Sequence, residues 1–334
     1  MREMLDIGKN ICSIKDSSIN IAEEHAGVAV LPVERASKDY LWKIAPRGDI
    51  YKKEETGIFL NVKKDIILKE PLYASFSIHK SSRQIVHNVI VIESGASAHI
   101  FTGCSSRRQE GSLHFSTTEI YVKKGALLTY MMSHDWNKNS EVKSHTFIRV
   151  EEDATFVSGY FSLHPVKVVD IDSHLQLNGK NATSELATVI YARENSVYNI
   201  DTHAFLNAPN TRTNIVSRNI TNGGIVHTEG QIVANAEKTK GHLECDGLML
   251  SNRGKICTIP VLESNVADVE LSHEAAVGKL SEEEIEYLMS RGLGYEEAQS
   301  LIIKGFINID MPELPLSVKK QIKNIINLLD KNGF

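Results

Sequence analysis

Four short pieces of this chain repeat one pattern at almost constant spacing, and that spacing limits what the chain can fold into. They are Val62-Lys63-Lys64-Asp65, Ile92-Glu93-Ser94-Gly95, Val122-Lys123-Lys124-Gly125 and Val150-Glu151-Glu152-Asp153. Each has an apolar residue, two mostly charged or polar residues and a turn residue, and the turn residues are 30, 30 and 28 positions apart. Farther on, turn-prone spots recur about every 14 residues, near Ala182, Ser196, Asn210, Gly224 and Lys238. Short β-rich runs lie between them, such as Leu186 to Tyr191 and Asn214 to Ser217.

Many short strands set off by regular turns predict all-β structure. A constant period with no helical stretch between strands favours stacked coils, a β-solenoid, in which each coil buries its apolar side chains against its neighbours. Gly and Asp at fixed offsets suit corners that need positive φ. A β-sandwich with coincidental spacing is the alternative.

The two ends read differently. Residues 1–55 mix polar and apolar positions without a clear repeat, and short helices fit Ser18 to Val30 and Glu34 to Trp42. At the other end, Ser281-Glu282-Glu283-Glu284 is a capping box. Ile285, Leu288 and Met289 follow at helical spacing, and Arg291-Gly292 makes a stop. A second helix fits Tyr295 to Lys304, stopped by Gly305. A third fits the apolar row Val318, Ile322, Ile325, Ile326 and Leu329. The expected organisation is an N-terminal segment over 1–55, a solenoid over 56–269 and a helical C-terminal domain over 270–334.

Composition narrows the function. The chain has 334 residues, 42% of them hydrophobic, and a net charge of −5. A core is affordable, and a nucleic-acid partner is disfavoured because phosphate binding needs a basic surface. No apolar run approaches the roughly 18 residues of a membrane span. The first residues lack the basic-then-apolar order of a secretory signal. Four cysteines, Cys12, Cys104, Cys245 and Cys257, show no framework spacing, so free thiols in the cytoplasm are expected. There is no phosphate loop, dinucleotide fingerprint, nucleophile elbow or H-E-x-x-H pair, and the chain is expected not to be an enzyme. An exported β-helix lyase or hydrolase is the reading this disfavours.

Two segments remain as candidates for chemistry: His242-Leu243-Glu244-Cys245-Asp246-Gly247-Leu248-Met249-Leu250, and Leu271-Ser272-His273-Glu274-Ala275-Ala276-Val277-Gly278-Lys279-Leu280. The carboxylates of Glu244 and Asp246 should raise the pKa of Cys245, making it a poor free nucleophile. A bound metal reverses that argument by holding the thiolate directly. Cysteine, histidine and glutamate together suit iron or zinc. From spacing alone, the favoured reading is a packed Cys245 and a polar surface pair, His273 and Glu274, at the approach to a helix. Cys104 falls in an expected loop before Arg107-Arg108, Cys257 in a strand-like run, and Trp136 reads as an aromatic at the solenoid edge.

The order of elements from Cys245 to Phe306 adds more. Cys245-Asp246-x-Leu248-x-Leu250 is followed by Thr258-Ile259-Pro260, Asp268-Val269, His273-x-Ala275-x-Val277-Gly278, Glu286 to Leu293, and Ala298 to Gly305-Phe306. In this order the chain, from about residue 56 to its end, resembles the SufB/SufD family of iron–sulfur cluster assembly proteins. His203, Asn210, Thr211 and Ser217 agree less distinctively. The resemblance implies a right-handed parallel β-helix with a helical C-terminal domain. It implies a SufC-type ABC ATPase docking on that domain, and pairing of SufB with SufD through their β-helices. Cys245, His273 and Glu274 would then be ligands of a transient iron–sulfur cluster, as part of an assembly scaffold. One chain carrying all three fits a homodimer; pairing with a SufB/SufD paralogue, as a SufD-like partner that binds no cluster, is the alternative. The chain is shorter than typical SufB, lacks a cysteine-rich N-terminal motif, and has Arg218 where many SufB sequences have lysine. It gives no matched set of interior polar residues for sulfur transfer.

Overall fold

A computed structural model describes residues 9–21, 27–33, 56–309, 319–320 and 322–323. Among these residues, nineteen strands form two sheets. Sheet A contains β1 (Lys9–Lys15), β2 (Ser18–Ile21), β5 (Leu72–Ile78), β7 (Ser97–Ser106), β9 (Leu127–Asp135), β11 (Thr155–Ser162), β13 (Thr183–Arg193), β15 (Arg212–Asn222), β17 (Thr239–Met249) and β19 (Val269–Lys279). Sheet B contains β3 (Val28–Pro32), β4 (Ile58–Val62), β6 (Arg83–Ile92), β8 (Ser112–Val122), β10 (Ser140–Val150), β12 (Val168–Leu177), β14 (Val197–Leu206), β16 (Ile225–Ala234) and β18 (Lys255–Ser264). From β4 onward every strand pairs in parallel with the strand two places along. The chain therefore alternates between the sheets, one strand of each per coil. It is a parallel β-solenoid, and the parallel register rules out the sandwich.

The repeat maps onto the corners. Asp65, Gly95, Gly125, Asp153, Asn181, Asn210 and Lys238 all take left-handed φ, between 55° and 72°. Only Gly adopts that region freely, with Asn and Asp next, which is why these residue types recur once per coil. Asn195 and Gly223, with φ of 66° and 96°, mark the intervening turns. Asparagines also stack: Asn265 donates to Asn235, Asn235 to Asn207 and Asn207 to Asn178, each at 2.8 Å.

Alternate residues of each strand point inward, so a column of side chains runs along the solenoid, one residue per coil. Leu60, Val62, Ile90, Ile92, Ile120, Val122, Ile148 and Val150 form two such columns in sheet B and are buried. Each buried aliphatic side chain contributes about 1.5–3 kcal/mol. A second apolar layer, including Tyr73, Phe101, Val189 and Ile220, lies on the outer face of sheet A. Ile303 and Ile307 pack against it, from α2 (Tyr295–Phe306) and its C-cap.

The two ends differ. At the start, β1 pairs with β2 and β3 with β4, both antiparallel, and the short strands β2 and β3 are the edges of their sheets. The expected helix over Ser18 to Val30 is instead strand at both ends, β2 and β3. Alternation as in Ser18-Ile19-Asn20-Ile21 has period 2, which suits a strand. Glu34 to Trp42 lies outside the described residues. At the other end, β18 and β19 are the last strands of their sheets. Residues 270–279, read from the sequence as the approach to a helix, continue the solenoid as β19, in register with β17. Helix begins with α1 (Glu282–Ser290), where Ser281 Oγ accepts from the Glu284 N–H at 3.2 Å as the capping box predicts. Helix α2 runs through Gly305 to Phe306. Residues 319, 320, 322 and 323 are helical, and the rest of the expected third helix lies outside the described residues.

Candidate functional site

The register of β15, β17 and β19 fixes where the expected site residues stand. Ser217 pairs with Cys245 and Cys245 with Ala275; Leu243 pairs with His273 and Glu244 with Glu274. Paired residues in parallel strands point to the same face. Leu243 and Cys245 belong to the buried interior, so His273 stands on the inner row of the last coil. Glu244 and Glu274 stand on the outer row. The interior next to Cys245 is polar: Asn219 Nδ2 donates to Ser217 Oγ at 2.9 Å, and both side chains are buried.

Cys245 is 2% exposed, with one coil left above it. Burial first, then the carboxylates of Asp246 and Glu244, push its thiol up to about 11, against a smaller opposite effect of the Arg218 guanidinium. It is held as a neutral thiol, and any metal it binds must displace that proton. Arg218 pairs with Glu244 and, at 2.8 Å, with Asp246, and its guanidinium lies 5.9 Å from the Phe306 ring centroid. This arginine, singled out in the sequence only as a departure from lysine, ties the outer face of β17 to helix α2.

His273 and Glu274 are both exposed. They point to opposite faces of β19, so one chain does not bring Cys245, His273 and Glu274 together. Among the described residues the one group of three potential metal ligands within mutual reach is Asp172, His174 and His203. The last coil is open: Ile259 on β18 and Val277 on β19 are half-exposed, and neither strand has an outer neighbour among the described residues. Unpaired N–H and C=O groups along such edges are a template for pairing with another chain.

Cys104 and Trp136 stand differently from expectation, while Cys257 lies in a strand, β18, as its surroundings in the sequence suggest. Cys104 lies in β7, not a loop; it is buried, and burial pushes its thiol up to about 12. Cys12 is likewise buried and raised to about 12. Cys257 is partly exposed on the outer face of sheet B, in register with His227. Trp136 is 4% exposed, inside the solenoid rather than at its edge. It packs against His114 and His134, with ring centroids 5.0 and 5.5 Å away. Both imidazoles are enclosed by the solenoid interior, His114 bonding Gln84 Oε1 at 3.0 Å and His134 bonding the Tyr160 hydroxyl at 2.9 Å. A cavity of about 70 Å³ lies beside Tyr160, with Tyr130, Ser144, Thr188 and Thr202 in its wall. These interior polar residues stood out in no motif. What unites them is their inward parity, which becomes visible once the register is known.

Comparison with known proteins fits this geometry. The family described as "SUF system FeS cluster assembly, SufBD core domain" matches residues 76–306, most of the solenoid and both helices. An iron-sulfur cluster assembly SufBD family protein of Archaeoglobus fulgidus is 38% identical over 318 residues, covering 92% of this chain and 86% of the relative. A protein of the same description from Methanothermobacter thermautotrophicus is 34% identical over 304 residues, 87% of this chain and 74% of the relative. One from Pyrococcus horikoshii is 34% identical over 324 residues, 92% and 72%.

Proposed function

Because the chain belongs to the SufBD family of iron–sulfur cluster assembly proteins, we propose that it is an assembly scaffold holding a transient cluster at the open end of its solenoid. The observation that carries this is the placement of Cys245 one coil below an uncovered edge, with His273 on the inner row of that edge. Two such ends brought together, from two copies of this chain or from this chain and a SufB/SufD paralogue, gather donors that a single chain keeps apart. Cys245 supplies a thiolate, His273 an imidazole and Glu274 a carboxylate from the outer row. Ligation with few thiolates holds a cluster loosely, which suits passing it on.

A SufC-type ABC ATPase is the proposed partner of the C-terminal helices. Tyr287, Met289, Tyr295 and Leu301 stand exposed there, an apolar surface on α1 and α2 that the solenoid does not cover. The chain carries no phosphate loop of its own, so nucleotide hydrolysis falls to the partner. Arg218, between the carboxylates of β17 and Phe306 of α2, gives movement of the helices a route to the strand that bears Cys245.

Anaerobic reconstitution with iron and sulfide tests the ligands. The wild-type chain should gain visible charge-transfer absorption that Cys245→Ala loses; unchanged absorption in that variant removes Cys245 from the ligand set. A second reading, a SufD-like partner that stabilises the complex and binds no cluster, is favoured by the buried neutral thiol of Cys245 and by the opposite facing of His273 and Glu274. Iron analysis of the reconstituted chain separates the two, since the second reading leaves it without iron.

A further inference from the structure

The outer face of sheet B carries a side-chain group far in sequence from Cys245 and on the other sheet. In the β12–β14 register His174 pairs with His203, and the next strand continues the row with Gln231. The two imidazoles stack at 4.8 Å between centroids, 24° apart in plane. Asp172, two residues before His174 on the same face, points one oxygen at both: Oδ1 lies 2.8 Å from His174 Nε2 and 3.8 Å from His203 Nε2. The three donor atoms lie within 4.8 Å of one another.

Two details mark this as more than a surface ion pair. First, His203 Nδ1 sits 2.9 Å from Gln231 Oε1. A carbonyl oxygen only accepts, so Nδ1 carries a proton, which leaves Nε2, facing Asp172, as the nitrogen free to ligate once it bears none. Metal-binding histidines are oriented in this way, with the far ring nitrogen donating to a carbonyl or carboxylate oxygen. Second, Asp172 Oδ1 is buried and accepts no well-aligned hydrogen bond. In the neutral tautomer a lone pair and a buried carboxylate oxygen face each other, an arrangement that a cation between them, a proton or a metal ion, relieves. The surroundings favour positive charge. Asp170, Asp201 and Glu229 stand on neighbouring outer positions, and the Asp201 carboxyl is pushed up, by burial first and then by the charges of Glu229, Asp172 and Asp170, against His203. The facing basic groups are Lys143, paired with Asp170 at 3.8 Å, and His145, whose Nδ1 is 3.4 Å from Asp172 Oδ2. Phe147 stacks on His174 at 5.6 Å and shields one side.

We propose that Asp172, His174 and His203 form a binding site for a divalent first-row transition metal ion, with Gln231 as a positioning residue and solvent completing the coordination shell. Two imidazoles and one carboxylate suit Fe²⁺, Co²⁺ or Zn²⁺, and not Ca²⁺ or Mg²⁺, which take oxygen ligands. Metal–ligand distances of about 2.0–2.2 Å place donors roughly 3–3.5 Å apart around one ion, within the span these atoms already occupy. The site is independent of the cluster reading, because none of its residues belongs to β17 or β19.

The test is titration of the metal-free full-length chain with Co²⁺, read by visible ligand-field absorption and by metal retained after gel filtration. The expected result is a single saturable site that Zn²⁺ displaces and excess Ca²⁺ or Mg²⁺ does not. It persists in Cys245→Ala and is lost in Asp172→Asn and His203→Ala. Gln231→Leu, which leaves all three ligands in place, should weaken binding by about 10- to 100-fold. Circular dichroism and urea midpoints without metal identify variants that fail to fold, and the wild-type and Gln231→Leu titrations decide without them. Absence of saturable Co²⁺ binding to wild type overturns the site and leaves a hydrogen-bonded imidazole–carboxylate set. So does binding that survives His203→Ala, or that vanishes in Cys245→Ala.

Discussion

His134 has one of the most altered side-chain environments in the protein. It lies inside the solenoid, edge-on to Trp136 and Tyr160, and burial, with help from the charge of His114, lowers its pKa from 6.5 to about 3. Burial lowers that of His114 to about 4. Both are neutral when folded, whereas the unfolded chain protonates them near 6.5, so below that pH the unfolded state binds more protons. The stability gained by keeping them neutral is whole above about pH 6.5 and is lost as pH falls toward about 4 and 3. The urea midpoint should hold steady above about pH 7, drop between about 6.5 and 4, and drop less steeply in His134→Gln. A midpoint that does not move over that range refutes the assignment. Cys245 gives a second residue-level prediction. With its thiol pushed up to about 11, iodoacetamide should label it roughly 100-fold more slowly near pH 8 in the folded chain than in urea, read by mass spectrometry of its peptide. The upward effect of Glu244 and Asp246 was legible in the sequence. The larger effect, burial, agrees with the packed reading favoured there, and the parity of β17 is what places the side chain inside.

At the scale of elements, corners were easier to read than strands. Asp65, Gly95, Gly125 and Asp153 announce themselves because left-handed φ restricts residue choice to a few types, whatever packs around them. Lys238 occupies the same corner with φ of 59° and none of the usual aptitude for it. Lys238→Asn should therefore stabilise the protein by about 0.5–1 kcal/mol in urea unfolding. Loss of stability would show that the lysine side chain contributes more than its backbone costs. Strand β19 was harder. Glu274, Ala275, Ala276 and Lys279 favour helix, and only the ladder to β17 outweighs that preference. The three-residue site on sheet B was within reach: His174 and His203 are 29 apart, one coil, but His203 stood out only as part of a family pattern.

Across the whole molecule, the contrast between its ends matters most. Among the described residues the solenoid starts on two short antiparallel edge strands, β2 and β3, and ends on two long parallel ones, β18 and β19. Sedimentation velocity should show the chain associating through that end. Ala275→Arg, which sets a bulky charge on the exposed inner row beside Cys245, should shift it to the smaller species with its circular dichroism unchanged. An unshifted profile would place the contact elsewhere. An open row of unpaired peptide groups ordinarily invites endless stacking, as in fibres. Here the starting edges, β2 and β3, are only four and five residues long, and short edge strands are poor templates, so a molecule docked by β18 and β19 keeps little edge to offer. That difference in edge length works against unlimited growth of a β-rich repeat that resembles a fibril in cross-section.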